Sequence, residues 1–196
     1  MWDERYSVEH FVYGKKPNGF LVQVSGLIPQ GNVLCLAEGE GRNAVFLASR
    51  GHSVVAVDSS ALGLAKAERL AEENGVKIET VTADLAEFEI GEEKWDAVVS
   101  IFCHVPRALR RDIHRNAVKG LRPGGVFILE AYTPVQLKLK TGGPPSEELM
   151  MTLDDLKKEL AGLIFLQARE LERDIVEGTL HSGKGAVVQI VAQKCR

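Results

Sequence analysis

The chain has 196 residues, 45% of them hydrophobic, with a formal net charge of −3 at pH 7 and a pI near 6.0. That length and apolar share can bury one full core, and helices and strands fill the chain without a linker, so a single domain over 1–196 is expected. The charge argues against a broad nucleic-acid footprint, which needs clustered Lys and Arg. The one such cluster, Arg107, Arg110, Arg111 and Arg115, lies at helical spacings and reads as a solvated helix face ahead of a phosphate-binding stripe. Cys35, Cys103 and Cys195 are odd in number and lack metal-ligand spacing, so neither a disulfide framework nor a metal site is expected, and a reducing cytoplasm is the expected compartment. The charged start, Met1 to Arg5, lacks the apolar stretch of a secretory signal, and no segment is apolar enough to span a bilayer, so no membrane partner is expected.

In chain order, Trp2, Tyr6, Tyr13 and Phe20 make the first stretch aromatic-rich for a chain with 6% aromatics. Residues 32–44 read as a buried strand that breaks into a turn at Gly39 and Gly41 and re-enters a helix near Asn43. Glycines let the backbone turn tightly and approach a ligand, and the helix start aims unpaired N–H groups at it. Gly39-x-Gly41-x-x-Ala44 satisfies the loose dinucleotide fingerprint. Glu38 and Glu40, however, would meet a pyrophosphate with like charge that Arg42 offsets only in part, so a ligand carrying an ammonium or sulfonium fits better. A second strand over 53–57 carries Asp58 at its carboxyl end, where ligands bind in open α/β sheets and a carboxylate can accept from both ribose hydroxyls. A helix over 61–74 stops at Gly75, and a third strand over 78–82 ends before Asp84 and Leu85, an acid suited to an adenine amino group. Taken singly, each acid is equally well a helix cap or a loop carboxylate. Three in succession at one sheet edge point to a nucleoside site.

A fourth strand over 96–100, a helix over 106–121 and a fifth strand over 126–130 continue the alternation, which implies a doubly wound parallel sheet. The last third departs from it. A helix opens on the capping box Thr152-x-x-Asp155, and extended segments over 165–176 and 186–192 read as a hairpin, with Glu177-Gly178 and Ser182-Gly183-Lys184-Gly185 in its turn. The expected fold is therefore α/β, a Rossmann-like seven-stranded sheet, mostly parallel with an antiparallel last strand.

These residues resemble the class I S-adenosylmethionine-dependent methyltransferases, with Glu38-Gly39-Glu40-Gly41 in the place of their glycine loop and Asp58 and Asp84 in the places of their two acids. The antiparallel ending is also theirs, a likeness of fold. The chain is most similar to the small bacterial methyltransferases of the tellurite-resistance type, through Trp2-x-x-x-Tyr6, Tyr13-Gly14 and Pro17-Asn18-x-Phe20-Leu21. The resemblance implies S-adenosyl-L-methionine as cofactor, held by Tyr13, Asn18, Glu38, Gly39, Glu40, Gly41, Asn43, Asp58, Ser59, Asp84, Leu85, Ile101 and Phe102. It also implies a lid over residues 1–30 on a core over 31–196, and aromatic faces in such a lid attract a sulfonium.

Methyl transfer needs donor and acceptor held in line in a dry cleft, and a general base only where the acceptor arrives protonated. His104 leaves the fourth strand beside the expected sulfonium and is a candidate base or orienting group, with capping of the next helix equally open. Tyr132 either lines the acceptor pocket or packs. Cys103 reads as a small buried residue with no cation to hold a thiolate, and 141–145 reads as a flap over the substrate. The resemblance places a third catalytic candidate, His181, at the acceptor site. The arginine that follows it in the tellurite-resistance type is Ser182 here, with Lys184 the nearest cation, which loosens any hold on an oxyanion. The expected activity is methyl transfer to a small molecule, a chalcogen oxyanion or a thiol among the candidates, by a monomer or weak homodimer. A non-catalytic S-adenosylmethionine-binding sensor or complex subunit and a nucleotide-cofactor oxidoreductase stay open as alternatives.

Overall fold

The computed structural model describes residues 2–178 and 181–196, with the backbone alone at His181 and Ser182. The described strands are β1 (Asn32–Leu36), β2 (Ser53–Asp58), β3 (Glu79–Thr82), β4 (Trp95–Ile101), β5 (Leu121–Tyr132), β6 (Leu163–Glu177) and β7 (His181–Lys194). They form one seven-stranded sheet in the order β3-β2-β1-β4-β5-β7-β6. β1 to β5 are parallel, and β7 runs antiparallel to both β5 and β6, as the sequence pattern requires. The order reverses between β1 and β4, which opens a crevice at the carboxyl ends of those two strands.

Helices α1 (Trp2–Tyr6), α2 (Gly19–Val24), α3 (Arg42–Ser49), α4 (Ala61–Glu73), α5 (Arg107–Gly120), α6 (Gln136–Leu139) and α7 (Leu153–Glu159) surround the sheet. Successive strand residues point to opposite faces, so each face builds its own core. Val33 and Cys35 pack with Phe20, Leu21 and Leu47 on one side, whereas Leu34 and Leu36 pack with Ile113, Leu156 and Leu160 on the other. Phe20 and Leu21 thus belong to the core, and the segment that can act as a cover ends well short of residue 30. No helix among the described residues is long and apolar enough to cross a membrane.

The terminal hairpin is longer than its turn-forming residues suggest. Ser182, Gly183, Lys184 and Gly185 are paired strand residues, opposite Val176, Ile175, Asp174 and Arg173. The glycines serve close packing within the strand: a Cβ on Gly185 would lie 2.3 Å from Ile175 Cδ1, and one on Gly183 3.1 Å from Thr141 Cγ2.

Arg110, expected on a solvated face, is only 1% exposed. Its Nε and Nη2 donate to the Glu159 carboxylate of α7 at 3.0 and 2.6 Å, its Nη1 donates to the Met150 carbonyl, and His114 Nδ1 meets the same carboxylate at 2.7 Å. Burial alone would raise Glu159, but the hydrogen bonds and charges of His114 and Arg110 outweigh it and hold the carboxyl at about 2. Burial lowers His114, whose neutral ring donates from Nδ1. Both groups therefore titrate below their unfolded values, and both contributions to stability are lost on acidification. The His114 share goes as pH falls below 6.5, and the Glu159 share between 4.5 and about 2. Thermal melts stepped down in pH should show a falling Tm in both windows, and Glu159→Gln should shrink the lower one, leaving the share of Glu177, which Arg42 and Arg173 also hold below its ordinary value.

Candidate active site

A cavity of about 510 Å³ lies at the carboxyl edge of the sheet, within the usual size of a small-molecule site. Its wall is built from successive strand ends: Glu38 follows β1, Asp58 and Ser59 end β2, Asp84 and Leu85 follow β3, and Ile101, Phe102 and His104 come from β4. Trp2, Arg5, Tyr6 and Tyr13 supply another part of the wall, and Gly142 to Pro145 a third. The proposed flap and the front of the proposed lid thus meet the expected cofactor residues. Ala37 and Phe102 have left-handed backbone, with φ of 49° and 53°, where β1 and β4 part at the crevice. Such strain in residues with a Cβ persists only where surrounding structure enforces it, and Phe102 is held by its N–H donating to the Glu130 carbonyl at 2.7 Å.

The glycine turn is built for internal packing. Gly41, at φ 86°, could carry a Cβ only 2.4 Å from Ala67 Cβ of α4, and Gly39, at φ 61°, only 2.5 Å from the Tyr6 hydroxyl. Close approach to a helix and to the covering segment by itself demands these glycines. Glu38 Oε1 accepts from the backbone N–H groups of Asn43 and Ala44 at 2.9 and 2.8 Å. A carboxylate thus occupies the helix-start donors that would otherwise serve a phosphate. Burial, against those hydrogen bonds, raises Glu38 to about 7. Asp58 accepts from Gly39 N through Oδ2 and from Ser60 N through Oδ1, each at 2.8 Å, and burial raises it too. Both acids, half-buried Glu38 and buried Asp58, are raised by desolvation, and a cationic ligand in the cavity would favour their ionised forms.

Glu40 and Asn18 have structural partners instead. Glu40 Oε1 pairs with Lys66 Nζ at 2.5 Å, and its carboxylate accepts from Val12 N and Tyr13 N. Lys66 also donates to the Val8 and His10 carbonyls, so this pair fastens the covering segment to α4, and the charge of Glu40 is already matched. The expected repulsion of a pyrophosphate by Glu40 therefore does not arise, and Glu38 carries that argument alone. Asn18, 0% exposed, stands outside the cavity wall. Its Oδ1 caps α2 through Leu21 N, and its Nδ2 donates to Glu130 and Glu177 at 2.6 and 3.0 Å. Those two acids are balanced by Arg173, which donates to Glu130 from Nε and Nη2 at 2.8 and 2.6 Å, and by Arg42, whose Nη2 reaches Glu177 at 2.6 Å. Arg42 also lines the cavity, and its buried Nη1 has no hydrogen-bond partner among the described residues.

His104 Nδ1 lies 2.9 Å from the Leu149 carbonyl, and its ring stacks on Tyr132 with centroids 5.6 Å apart. Burial, with a smaller contribution from Arg110, lowers it to about 4, so the ring is neutral. Capping is not its role, because Pro106 is the N-cap of α5 and the side chain that accepts at the helix start is that of Glu148, from Arg107 N at 3.2 Å. Tyr132, 1% exposed, packs with Met150, Ile175 and Val187 behind His104 instead of lining the wall. Burial pushes the Cys103 thiol up to about 12, which leaves it inert. His181 begins β7 opposite Glu177, but its side chain lies outside the described residues. The sequence reading missed Arg42 as a wall residue and Glu130, Arg173 and Glu177 as its support.

Residues 33–125 match the family described as methyltransferase domain. Among curated proteins, the 2-heptyl-1-hydroxyquinolin-4(1H)-one methyltransferase of Mycobacteroides abscessus is 26% identical over 117 residues, covering 58% of this chain and 52% of that protein. The chain spans about half the length of the curated relatives it matches. Among solved structures, one concerned with conversion of a disulfide bond into a thioacetal group during echinomycin biosynthesis superposes with a TM-score of 0.78 at 20% identity, over 99% of this chain and 90% of that one. TehB from Haemophilus influenzae superposes with a TM-score of 0.73 at 20% identity, over 98% of this chain and 65% of its own. Over residues 33–125 the chain is thus similar to the methyltransferase domain family, and throughout its length it shares the fold of these solved structures.

Proposed function

We propose that the cavity binds S-adenosylmethionine and that the protein passes its methyl group to a small molecule. The observation that carries this reading is the pair of acids, half-buried Glu38 and buried Asp58, that line one cavity at the ends of β1 and β2. In this reading Asp58 takes the ribose hydroxyls and Asp84 the adenine edge, with Ser59, Leu85, Ile101 and Phe102 along the nucleoside and methionine portions, which their shared cavity wall supports. The unpartnered Nη1 of Arg42 is available to the methionine carboxylate, and Glu38 to a positive charge. The sulfonium supplies an electrophilic methyl group, while the chain's residues hold it in a cleft screened by Trp2, Tyr6 and Tyr13.

A chalcogen oxyanion is the less favoured acceptor. The wall residues Val105, Leu109, Leu149, Pro144 and Pro145 offer no cation, and the arginines of the described wall, Arg5 and Arg42, bond Tyr13 and Glu177. The acceptor of the Mycobacteroides relative, a hydroxyquinolinone by its name, is apolar and supports an organic acceptor here.

Thermal melts with S-adenosylhomocysteine and, separately, with NAD test the reading. Ligand at about a hundred times its dissociation constant adds roughly 2.7 kcal/mol, a rise of roughly 5–10 °C for a domain of this size. The rise is expected with S-adenosylhomocysteine alone. A rise with NAD alone would make the glycine turn a dinucleotide site.

A further inference from the structure

We propose that His104 Nε2 recognises and deprotonates the methyl acceptor, and that this acceptor is a hydroxyl borne on a flat, apolar ring; the proposal rests on the methyltransferase reading above. A carbonyl oxygen can only accept, so the proton on His104 sits at Nδ1, facing Leu149, and Nε2 presents its lone pair. That atom is buried without a hydrogen-bond partner, in a residue of the cavity wall. A sealed, unmatched acceptor is unfavourable until a donor arrives, and an acceptor molecule's O–H is such a donor.

The ring cannot swing away to find another partner. Tyr132 stacks on one face, tilted Phe102 lies against Tyr132 at 4.8 Å, and the Leu149 carbonyl fixes the edge. That carbonyl is itself fixed: Leu149 N donates to Ser146 O, and Arg110 Nη1 donates to the adjacent Met150 carbonyl. The neighbouring wall, Val105, Leu109, Leu149, Pro144 and Pro145, is apolar and suits a planar hydrocarbon body.

The groups around His104 also select among hydroxyls. Burial opposes the imidazolium, and Arg110 on α5 adds a smaller share, so His104 is a weak base near 4. Tyr132 on β5 is held neutral by burial, while the acids Glu38 and Asp58 belong to the other strand ends of the same cavity. A weak base suits an acidic hydroxyl, one whose anion is delocalised into its ring. An ammonium acceptor would find no carboxylate among these apolar wall residues.

In the transfer the acceptor's O–H bond breaks and its proton passes to Nε2, an oxygen lone pair forms the bond to the methyl carbon, and the carbon–sulfur electron pair stays on sulfur. One positive charge thereby moves from sulfur to the imidazole, which gives its proton to water once the site reopens.

The test uses para-nitrophenol and an N-hydroxypyridone with wild type, His104→Gln and His104→Ala. At about pH 6, where para-nitrophenol arrives protonated, kcat/KM in both variants should fall by about 10²–10⁴-fold, and at about pH 9, where it arrives ionised, variants and wild type should converge. S-adenosylhomocysteine affinity should be unchanged throughout. As a second readout, ¹⁵N-histidine NMR of wild type should show the Nδ1–H tautomer at neutral pH, protonation only near 4, and a shifted Nε2 resonance when para-nitrophenol is added with S-adenosylhomocysteine. Equal losses at both pH values, an unmoved Nε2 resonance, or turnover of amines or tellurite but of neither hydroxyl probe would overturn the proposal alone. Failure of S-adenosylhomocysteine to bind would remove the methyltransferase reading together with it.

Discussion

Glu130→Ala is expected to destabilise the protein by about 3–5 kcal/mol, the range for removing one partner of a buried ion pair. Glu130 is 0% exposed and accepts from Asn18, Gln189 and twice from Arg173. Truncation leaves Arg173 with Glu177 as its remaining carboxylate at 3.0 Å and removes one of two acceptors from the Asn18 amide. At about 2–4 °C per kcal/mol for a chain of this size, Tm should fall by roughly 6–20 °C. The double variant Glu130→Met with Arg173→Met should recover much of that loss, because it leaves no ion unpaired and keeps Arg42 matched to Glu177. A fall of only a degree or two in the single variant would show that the network contributes little.

Asp58→Ala is expected to weaken S-adenosylhomocysteine binding by about 1.5–3 kcal/mol, roughly 10–150-fold, the scale of hydrogen bonds lost to a charged group. The structure adds a second effect. Asp58 also holds the turn itself, through Gly39 N and Ser60 N, so alanine strands two buried N–H groups as well. Asp58→Asn, which keeps one carbonyl oxygen, should retain more stability while still losing affinity. Calorimetric titration of both variants separates the two roles, and wild-type affinity in either would remove Asp58 from the ribose site.

The sheet was legible because its strands are short apolar runs ended by glycine or acid, and the periodicity needs no distant information. What escaped the sequence was partnership. Glu40 stands in the glycine turn and in the cavity wall, and its partner there, Lys66, lies 26 positions away. Arg110 has the spacing of a surface arginine, yet Glu159, 49 positions on, draws it inward. Ser182 to Gly185 have turn chemistry, but Gly183 and Gly185 answer to Thr141 and Ile175 packed against the strand. Asp58, Ser59 and Leu85 were placed from position alone, since the end of a parallel strand fixes where a residue stands without reference to what it touches.

The pairing of Arg42 with Glu177 joins residues 135 positions apart. On a ribosome making about 5–20 residues per second, Arg42 therefore waits roughly 7–27 s for its counterion to be synthesised. During that interval the nascent chain carries a cavity-wall arginine whose counterion has yet to be made, and the charge of that wall is matched only when the final ribbon of the sheet docks.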